Sequence, residues 1–217
     1  MKIINFAEQN SIINQFMSEL RDVNVQQDRM RFRRNLERIG EIMSYEISRT
    51  LNYTTQEVTT PLGCKEMSLP SDKVVLATIL RAGLGFHQGF LSYLDNAENA
   101  FISAYRKYTD ENHFDIHVEY IASPSLEGKV MILADPMLAT GSSMELCYRA
   151  LKESKGTPAV THIAAVIAST QAIEFVKQHF PENTVVWVAA IDDVLNAHGY
   201  IVPGLGDAGD LAYGEKE

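Results

Sequence analysis

Only two cysteines stand among the 217 residues, Cys64 and Cys147. They share no CxxC spacing, so neither a zinc site nor a disulfide framework is indicated, and both are expected to be reduced thiols in a cytoplasmic protein. Basic residues are scarce as well: 19 Lys and Arg against 28 Asp and Glu give a formal net charge of -9. A domain that works by gripping nucleic acid carries a basic face or stripe, so no nucleic-acid partner is expected, although a few arginines in one pocket can still hold a small anion. Long apolar runs are missing. The longest charge-free stretch, residues 156–173, is broken by Pro158, His162 and several Ser and Thr. The N-terminus MKIINFAEQN has no signal-peptide core, and no membrane partner is expected. No Gly-Lys-Ser or Gly-Lys-Thr occurs, which excludes a nucleotide-triphosphate P-loop, and there are no repeats or low-complexity tracts.

What is present describes an ordinary globular chain. With 46% hydrophobic and 22% charged residues it can bury a full core, and its length suits one α/β domain. Three regions are expected within it: N-terminal helices and a hairpin over 1–72, a core sheet over 73–191 and a C-terminal loop over 192–217. In the first, Ile12, Ile13, Phe16, Met17 and Leu20, then Phe32, Leu36, Ile39, Met43, Ile47 and Leu51, recur at helical spacings. YTTQEVTTPLGCKEM reads as two β-prone stretches around a Pro-Leu-Gly turn. From residue 73 apolar runs without alternation (KVVLATIL, AFISAY, KVMILA, VTHIAAVIA, TVVWVAAI) are separated by helical segments. Strands buried on both faces with helical crossovers predict an open, mostly parallel, doubly wound sheet.

In such a sheet the ligand sits beyond the carboxyl ends of the strands, so the residues after each strand carry the information. After VVLATIL comes RAGLGFHQG, where Arg81 can fork onto phosphate oxygens at a helix start. Gly83, Gly85 and Gly89 come near a dinucleotide fingerprint but are spaced one residue too long. After AFISAY stands a second cation, Arg106. After VMILA come Asp135 and a Thr140-Gly141-Ser142-Ser143 turn opening a helix: small residues and unpaired N–H groups suit an anion, while the carboxylate suits sugar hydroxyls or a metal. The fourth loop, AHGYIVPGLGDAGDLAYG over 197–214, combines glycines, two aspartates and no Lys or Arg. Its backbone groups could line a pocket and read the edge of a flat heterocycle.

Four stretches, ILRAGLG (79–85), YR (105–106), DPMLATGSS (135–143) and GYIVPGLGDAGD (199–210), resemble in order and separation the uracil phosphoribosyltransferase family. The resemblance implies a type I phosphoribosyltransferase fold and transfer of phosphoribose from 5-phospho-α-D-ribose 1-diphosphate (PRPP) to uracil, giving UMP and diphosphate with Mg²⁺. Carried over by position, Arg81 and Arg106 would contact PRPP, chiefly its diphosphate. Asp135, Pro136, Met137, Leu138, Ala139, Thr140, Gly141, Ser142 and Ser143 would hold the ribose 5-phosphate, with Asp135 on the ribose. Ile201, Gly206 and Ala208 would bind uracil through backbone groups, and Asp207 would face the base, PRPP and the metal. Arg81, Arg106, Asp135 and Asp207 are thus the candidate catalytic residues. A homodimer or larger homo-oligomer is expected, and activation by GTP is left open.

The chain departs from the family pattern at Ser142, where a small Gly or Ala is common; a φ > 0 there would cost serine roughly 1–2 kcal/mol, which a helix-start conformation avoids. Segment 107–124 also differs in composition and is expected to be a lid or a β-arm reaching a partner subunit. Its His113, Asp115 and His117 read as a solvated face, since no third firm ligand accompanies them. An RNA-binding regulator built on the same core would need a basic face that the charge of -9 argues against. A phospho-acceptor domain using Asp135 would want an acidic pair near its first strand and a lysine at a later strand end, and VVWVAAID offers none. Other nucleobase phosphoribosyltransferases remain in the same enzyme class.

Overall fold

The computed structural model describes residues 1–108 and 114–216, and for 104–108 and 114–117 the description is of the backbone alone. In chain order the elements are β1 (Lys2–Asn5), α1 (Ile13–Arg21), α2 (Arg29–Ser48), β2 (Tyr53–Thr60), β3 (Gly63–Pro70), β4 (Val74–Leu80), α3 (Gly83–Leu91), β5 (Glu98–Tyr108) and β6 (Phe114–Ala122). There follow β7 (Val130–Ala134), β8 (Met137–Leu138), α4 (Ser142–Lys155), β9 (Val160–Ser169), α5 (Thr170–His179), β10 (Val185–Asp192), β11 (Val194–Leu195), β12 (Ile201–Val202) and α6 (Ala208–Tyr213).

The central sheet runs β1-β10-β9-β7-β4-β5-β6, with β8 paired to β9. All its pairings are parallel except β5 with β6. The open, mostly parallel sheet expected from the apolar runs is therefore present. Alternate residues of those runs supply opposite faces. Val74, Leu76, Val130 and Ile132 join α1, α2 and α3 in one cluster, while Val75, Ala77, Met131 and Leu133 join α4 and α5 in another. Continuous hydrophobicity in sequence is thus two stripes of period two, each buried.

β4 leads to β5 on one side and β7 leads through β9 to β10 on the other, so the chain reverses direction between β4 and β7. The carboxyl ends of those two strands flank the crevice that a ligand of such a sheet occupies. The glycine spacing near the fingerprint has a different cause. A Cβ on Gly89 would fall 2.0 Å from the Glu37 carbonyl oxygen, so this glycine lets α3 press against α2.

The N-terminal third is not wholly helical. Lys2–Asn5 adds the edge strand β1, paired with Val185–Val188 of β10. Four residues are too few to show a period, and the partner lies at the far end of the chain. α2 follows the reading closely: Asp28 caps it by accepting from the Met30 and Arg31 N–H groups, and Phe32, Leu36, Ile39, Met43 and Ile47 are buried. The hairpin expected at residues 53–67 is β2–β3, paired from Tyr53↔Pro70 to Thr60↔Gly63. Within segment 107–124, Phe114–Ala122 forms the antiparallel edge strand β6 against β5. Residues 109–113, including His113, lie outside the described residues, as do the side chains of Asp115 and His117. Among the described residues no helix is long and apolar enough to cross a membrane.

Candidate active site

A pocket of about 400 Å³ opens at the carboxyl ends of β4 and β7, walled on a third side by the chain after β10. Arg81, Asp135, Met137, Leu138, Ala139, Thr140, Gly141, Ser143, Ile201, Gly206, Asp207 and Ala208 all line it, so three loops widely separated in sequence meet around one space. Two residues of the expected set stand back from it. The Pro136 carbonyl accepts from the Val166 and Ile167 N–H groups and pins the loop to β9. The Ser142 hydroxyl lies 2.6 Å from Thr140 Oγ1, within the turn. The Arg106 side chain is outside the described residues.

The 135–143 loop is built by a short chain of causes. Strand β7 ends at Ala134; the Asp135 N–H donates to the Ala164 carbonyl (3.1 Å), and Asp135 Oδ1 accepts from the Met137 N–H (3.2 Å), turning the chain into β8. Gly141 then takes φ 85 as the residue before α4, with no side chain capping the helix. A left-handed conformation suits glycine, and here space demands it too: a Cβ would meet Phe175 Cδ1 at 2.6 Å. The strained position is therefore Gly141, and Ser142 starts the helix with no φ penalty, since no non-glycine residue among those described has positive φ. An uncapped first turn of a 14-residue helix directs N–H groups and the positive end of the dipole at the pocket. Ser169, itself the cap of α5, steadies the loop from behind by donating from Oγ to the Ala139 carbonyl at 2.6 Å.

Asp135 is desolvated at its place in the pocket, and burial pushes its carboxyl up to about 7; the charge of Asp207 adds to the rise, while the Met137 N–H works against it. Asp135 and Asp207 thus face one space as like charges. Arg81 Nη2 donates to Asp210 Oδ1 (3.1 Å) and to the Gly214 carbonyl (3.2 Å). Asp207 caps α6, its Oδ1 accepting the Asp210 N–H at 3.0 Å.

The lining residues not singled out from sequence include four with polar side chains: Ser103, Tyr200, Asp210 and Lys216. Asp210 carried a signal, standing three residues after Asp207 at the start of a short helix, and Tyr200 lies inside the quoted GYIVPGLGDAGD stretch. Ser103 and Lys216 carried none; only the fold brings them to the pocket.

A sequence model of the family described as uracil phosphoribosyltransferase matches residues 7–215. The chain is 61% identical over 216 residues to a uracil phosphoribosyltransferase of Porphyromonas gingivalis, covering all of both chains. It is 39% identical over 213 residues to one of Pyrococcus furiosus, covering 96% of this chain and 88% of that one. Among solved structures, the AQ2163 protein from Aquifex aeolicus superposes with a TM-score of 0.86 at 31% identity, over 98% of each chain. A hypoxanthine phosphoribosyltransferase from Staphylococcus aureus shares the fold at 12% identity, with a TM-score of 0.52 over 86% of this chain and 84% of that one. By sequence over its whole length, the chain belongs to the uracil phosphoribosyltransferase family.

Proposed function

We propose that the pocket joins uracil to the phosphoribosyl group of PRPP, as the family's name states, and that its three loops divide the work. The observation that carries this division is the meeting of an uncapped helix start at Gly141, a strand-end arginine at Arg81 and the glycine-rich 199–210 turn around one space. The α4 N-terminus takes the 5-phosphate, Asp135 accepts from ribose hydroxyls, Arg81 with Arg106 receives the diphosphate, and backbone groups of Ile201, Gly206 and Ala208 read the base.

In the reaction the C1–O bond to the diphosphate breaks, the leaving group departs with the electron pair, and the N1–C1 bond forms as uracil gives up its N1 proton to solvent. Positive charge grows on the ribose ring and negative charge on the diphosphate, so the chain's contribution is alignment and fixed charge. Arg81 stabilises the departing oxygens, while Asp135 and the α4 turn hold the sugar by both ends so that C1 faces the base. No side chain stands out as a general base.

The residues fit a divalent cation. Asp207 raises Asp135 across the pocket, a repulsion that a cation between substrate and protein would relieve. No cluster of three or more His, Cys, Asp or Glu side chains occurs among the described residues, which suits Mg²⁺ carried largely by substrate phosphates and water with one protein carboxylate, Asp207. When bound, it would neutralise charge on the diphosphate.

Two further parts of the reading rest on other features. Every residue of β2 is exposed, and a two-stranded hairpin is marginal in water, which supports a homodimer or larger assembly that covers it. Both cysteines are free thiols, consistent with a cytoplasmic location. The reading is tested by following labelled uracil in the presence of PRPP. UMP formation that requires PRPP and Mg²⁺ and stops with chelator is expected; a folded protein that turns over without added metal would remove the assignment of Asp207.

A further inference from the structure

Arg21 and Asp192 form a forked ion pair behind the pocket-forming loop, and neither lines the pocket. Arg21 Nη1 lies 2.7 Å from Asp192 Oδ2 and Nη2 lies 2.8 Å from Oδ1. The pair also holds a third residue by both of its polar backbone groups: Arg21 Nη1 donates to the Gly204 carbonyl (2.9 Å), and the Gly204 N–H donates to Asp192 Oδ2 (2.8 Å). One residue along, Gln26 Nε2 donates to the Leu205 carbonyl (3.1 Å) and to the Leu20 carbonyl (2.7 Å). Three side chains from α1, the α1–α2 connection and the end of β10 therefore fasten two successive residues of the loop.

Those two residues are the centre of the base-reading turn. Gly204 has φ 61, and the Ile201 carbonyl oxygen packs so closely on it that an added Cβ would fall 2.1 Å from that atom. Fixing Gly204 fixes where the Ile201 carbonyl sits; fixing Leu205 fixes the start of Gly206. On the other side the only pairing of this segment is the two-residue ladder of β11 with β12, Val194↔Val202 and Leu195↔Ile201. A turn lined by backbone groups, holding only the two residues of β12 and the first turn of α6 as regular structure, needs its geometry imposed from outside to within a fraction of an ångström if it is to distinguish one flat base from another.

We propose that Arg21, Asp192 and Gln26 are positioning residues for nucleobase recognition: the N-terminal helices act through the Gly204–Leu205 hinge to set the backbone that reads the base, without touching substrate. The ion pair is suited to this role because the fork fixes direction as well as distance, and a lysine in its place would keep the charge and lose the geometry. Asp192 is 9% exposed and Arg21 26%, so water competes weakly for the pair. In agreement, the Arg21 guanidinium, helped by the Gly204 N–H, holds the Asp192 carboxyl below the usual carboxylate range against the opposing effect of burial. The inference explains why a helical N-terminal region that contributes no lining side chain is packed against the end of the chain that does.

The inference rests on the assignment of the 199–210 turn to uracil, so the test includes a change inside that turn. Steady-state constants for uracil and for PRPP are measured on full-length Arg21→Lys, Gln26→Leu and Gly206→Ala, with cytosine as competing acceptor. Arg21→Lys is expected to raise KM for uracil about tenfold and Gln26→Leu about threefold, with KM for PRPP within about twofold and weaker exclusion of cytosine by the lysine variant. Gly206→Ala, which places a side chain at φ 91 in the turn itself, is expected to shift uracil at least as far. If Gly206→Ala moves uracil and the lysine variant moves neither substrate, or moves both equally, the positioning role is wrong while the base site stands. If Gly206→Ala leaves uracil untouched, the assignment of the turn fails and takes this inference with it. Arg21→Lys retains the buried charge pair, and Gln26→Leu leaves it intact, so a folding defect in one does not remove the other measurement.

Discussion

Arg81 and Asp210 are joined across the pocket mouth, guanidinium to carboxylate at 3.1 Å, so the strand-end arginine assigned to the diphosphate is held by the helix that closes the base loop. Both partners are about two-fifths exposed, at 42% and 38% of their side-chain area. Exposed pairs of this kind contribute about 0.2–1 kcal/mol, which a doubly charged phosphate replaces easily. With Arg81 in its proposed role, binding of the diphosphate end would exchange one anion for another on Arg81 and release Asp210. Asp210→Asn is expected to tighten pyrophosphate binding by up to about fivefold. Calorimetric titration checks this, and weaker binding would mean that Asp210 helps to hold the ligand rather than compete with it.

On the proposed reading, Arg81→Ala removes the fixed charge that the departing diphosphate meets. Turnover is expected to fall on the order of 10²-fold or more with the fold intact. A correctly folded variant within about threefold of the parent would sink the role.

Asp135 gives a pH signature whose sign follows from its raised pKa. Between the ordinary 3.8 and about 7 the folded protein keeps a proton that the unfolded chain has released, so this residue's contribution to stability is complete below 3.8 and lost as pH rises through about 7. Asp135→Asn is expected to melt higher than the parent at pH 8 and to lose that advantage towards pH 4. The same variant is expected to bind PRPP more weakly and uracil almost unchanged. Equal weakening of both in a titration would contradict its place on the ribose.

The opposite slope belongs to His162, which is buried in β9 and accepts at Nδ1 from Trp187 Nε1 at 3.1 Å. Burial pulls its pKa from 6.5 down to about 4, a difference corresponding to about 3 kcal/mol that is fully present above 6.5 and lost as pH falls through about 4. His162→Gln is expected to flatten the acid side of the stability profile over that window, relative to the parent. Parallel profiles measured by thermal melting at several pH values would show that another group sets acid stability.

Gly141 joins a backbone requirement to a steric one, so Gly141→Ala is expected to cost roughly 1–2 kcal/mol for the left-handed conformation, and more for the contact with Phe175. PRPP affinity is expected to fall with it, because the first turn of α4 moves. Unchanged stability and affinity would mean that the loop accommodates a Cβ freely.

The parts of the molecule written in local pattern were readable from the sequence. Val74–Leu80 and Val130–Ala134 announced buried strands by their apolar runs, and the residues after them announced ligand loops, because a doubly wound sheet always uses those positions. Thr140-Gly141-Ser142 raised the question of a positive φ, and the structure answers it one residue earlier than the family comparison suggested. What could not be read depends on partners distant in the chain. β1 needs β10 to be a strand at all. Arg81 finds Asp210, and Arg21 finds Asp192, only after the sheet order has folded residue 81 beneath residue 210 and brought α1 beside the end of β10. Such pairs leave no spacing rule in a single sequence.

The central claim is that the 199–210 turn selects uracil while the 135–143 loop and Arg81 hold PRPP. It is tested most directly by product formation from PRPP and Mg²⁺ with labelled uracil, cytosine, hypoxanthine and orotate offered in parallel. UMP from uracil with no product from the other three is the predicted result. A nucleotide formed from another base at a comparable rate, or none from any base by a folded protein that still binds PRPP, would contradict it.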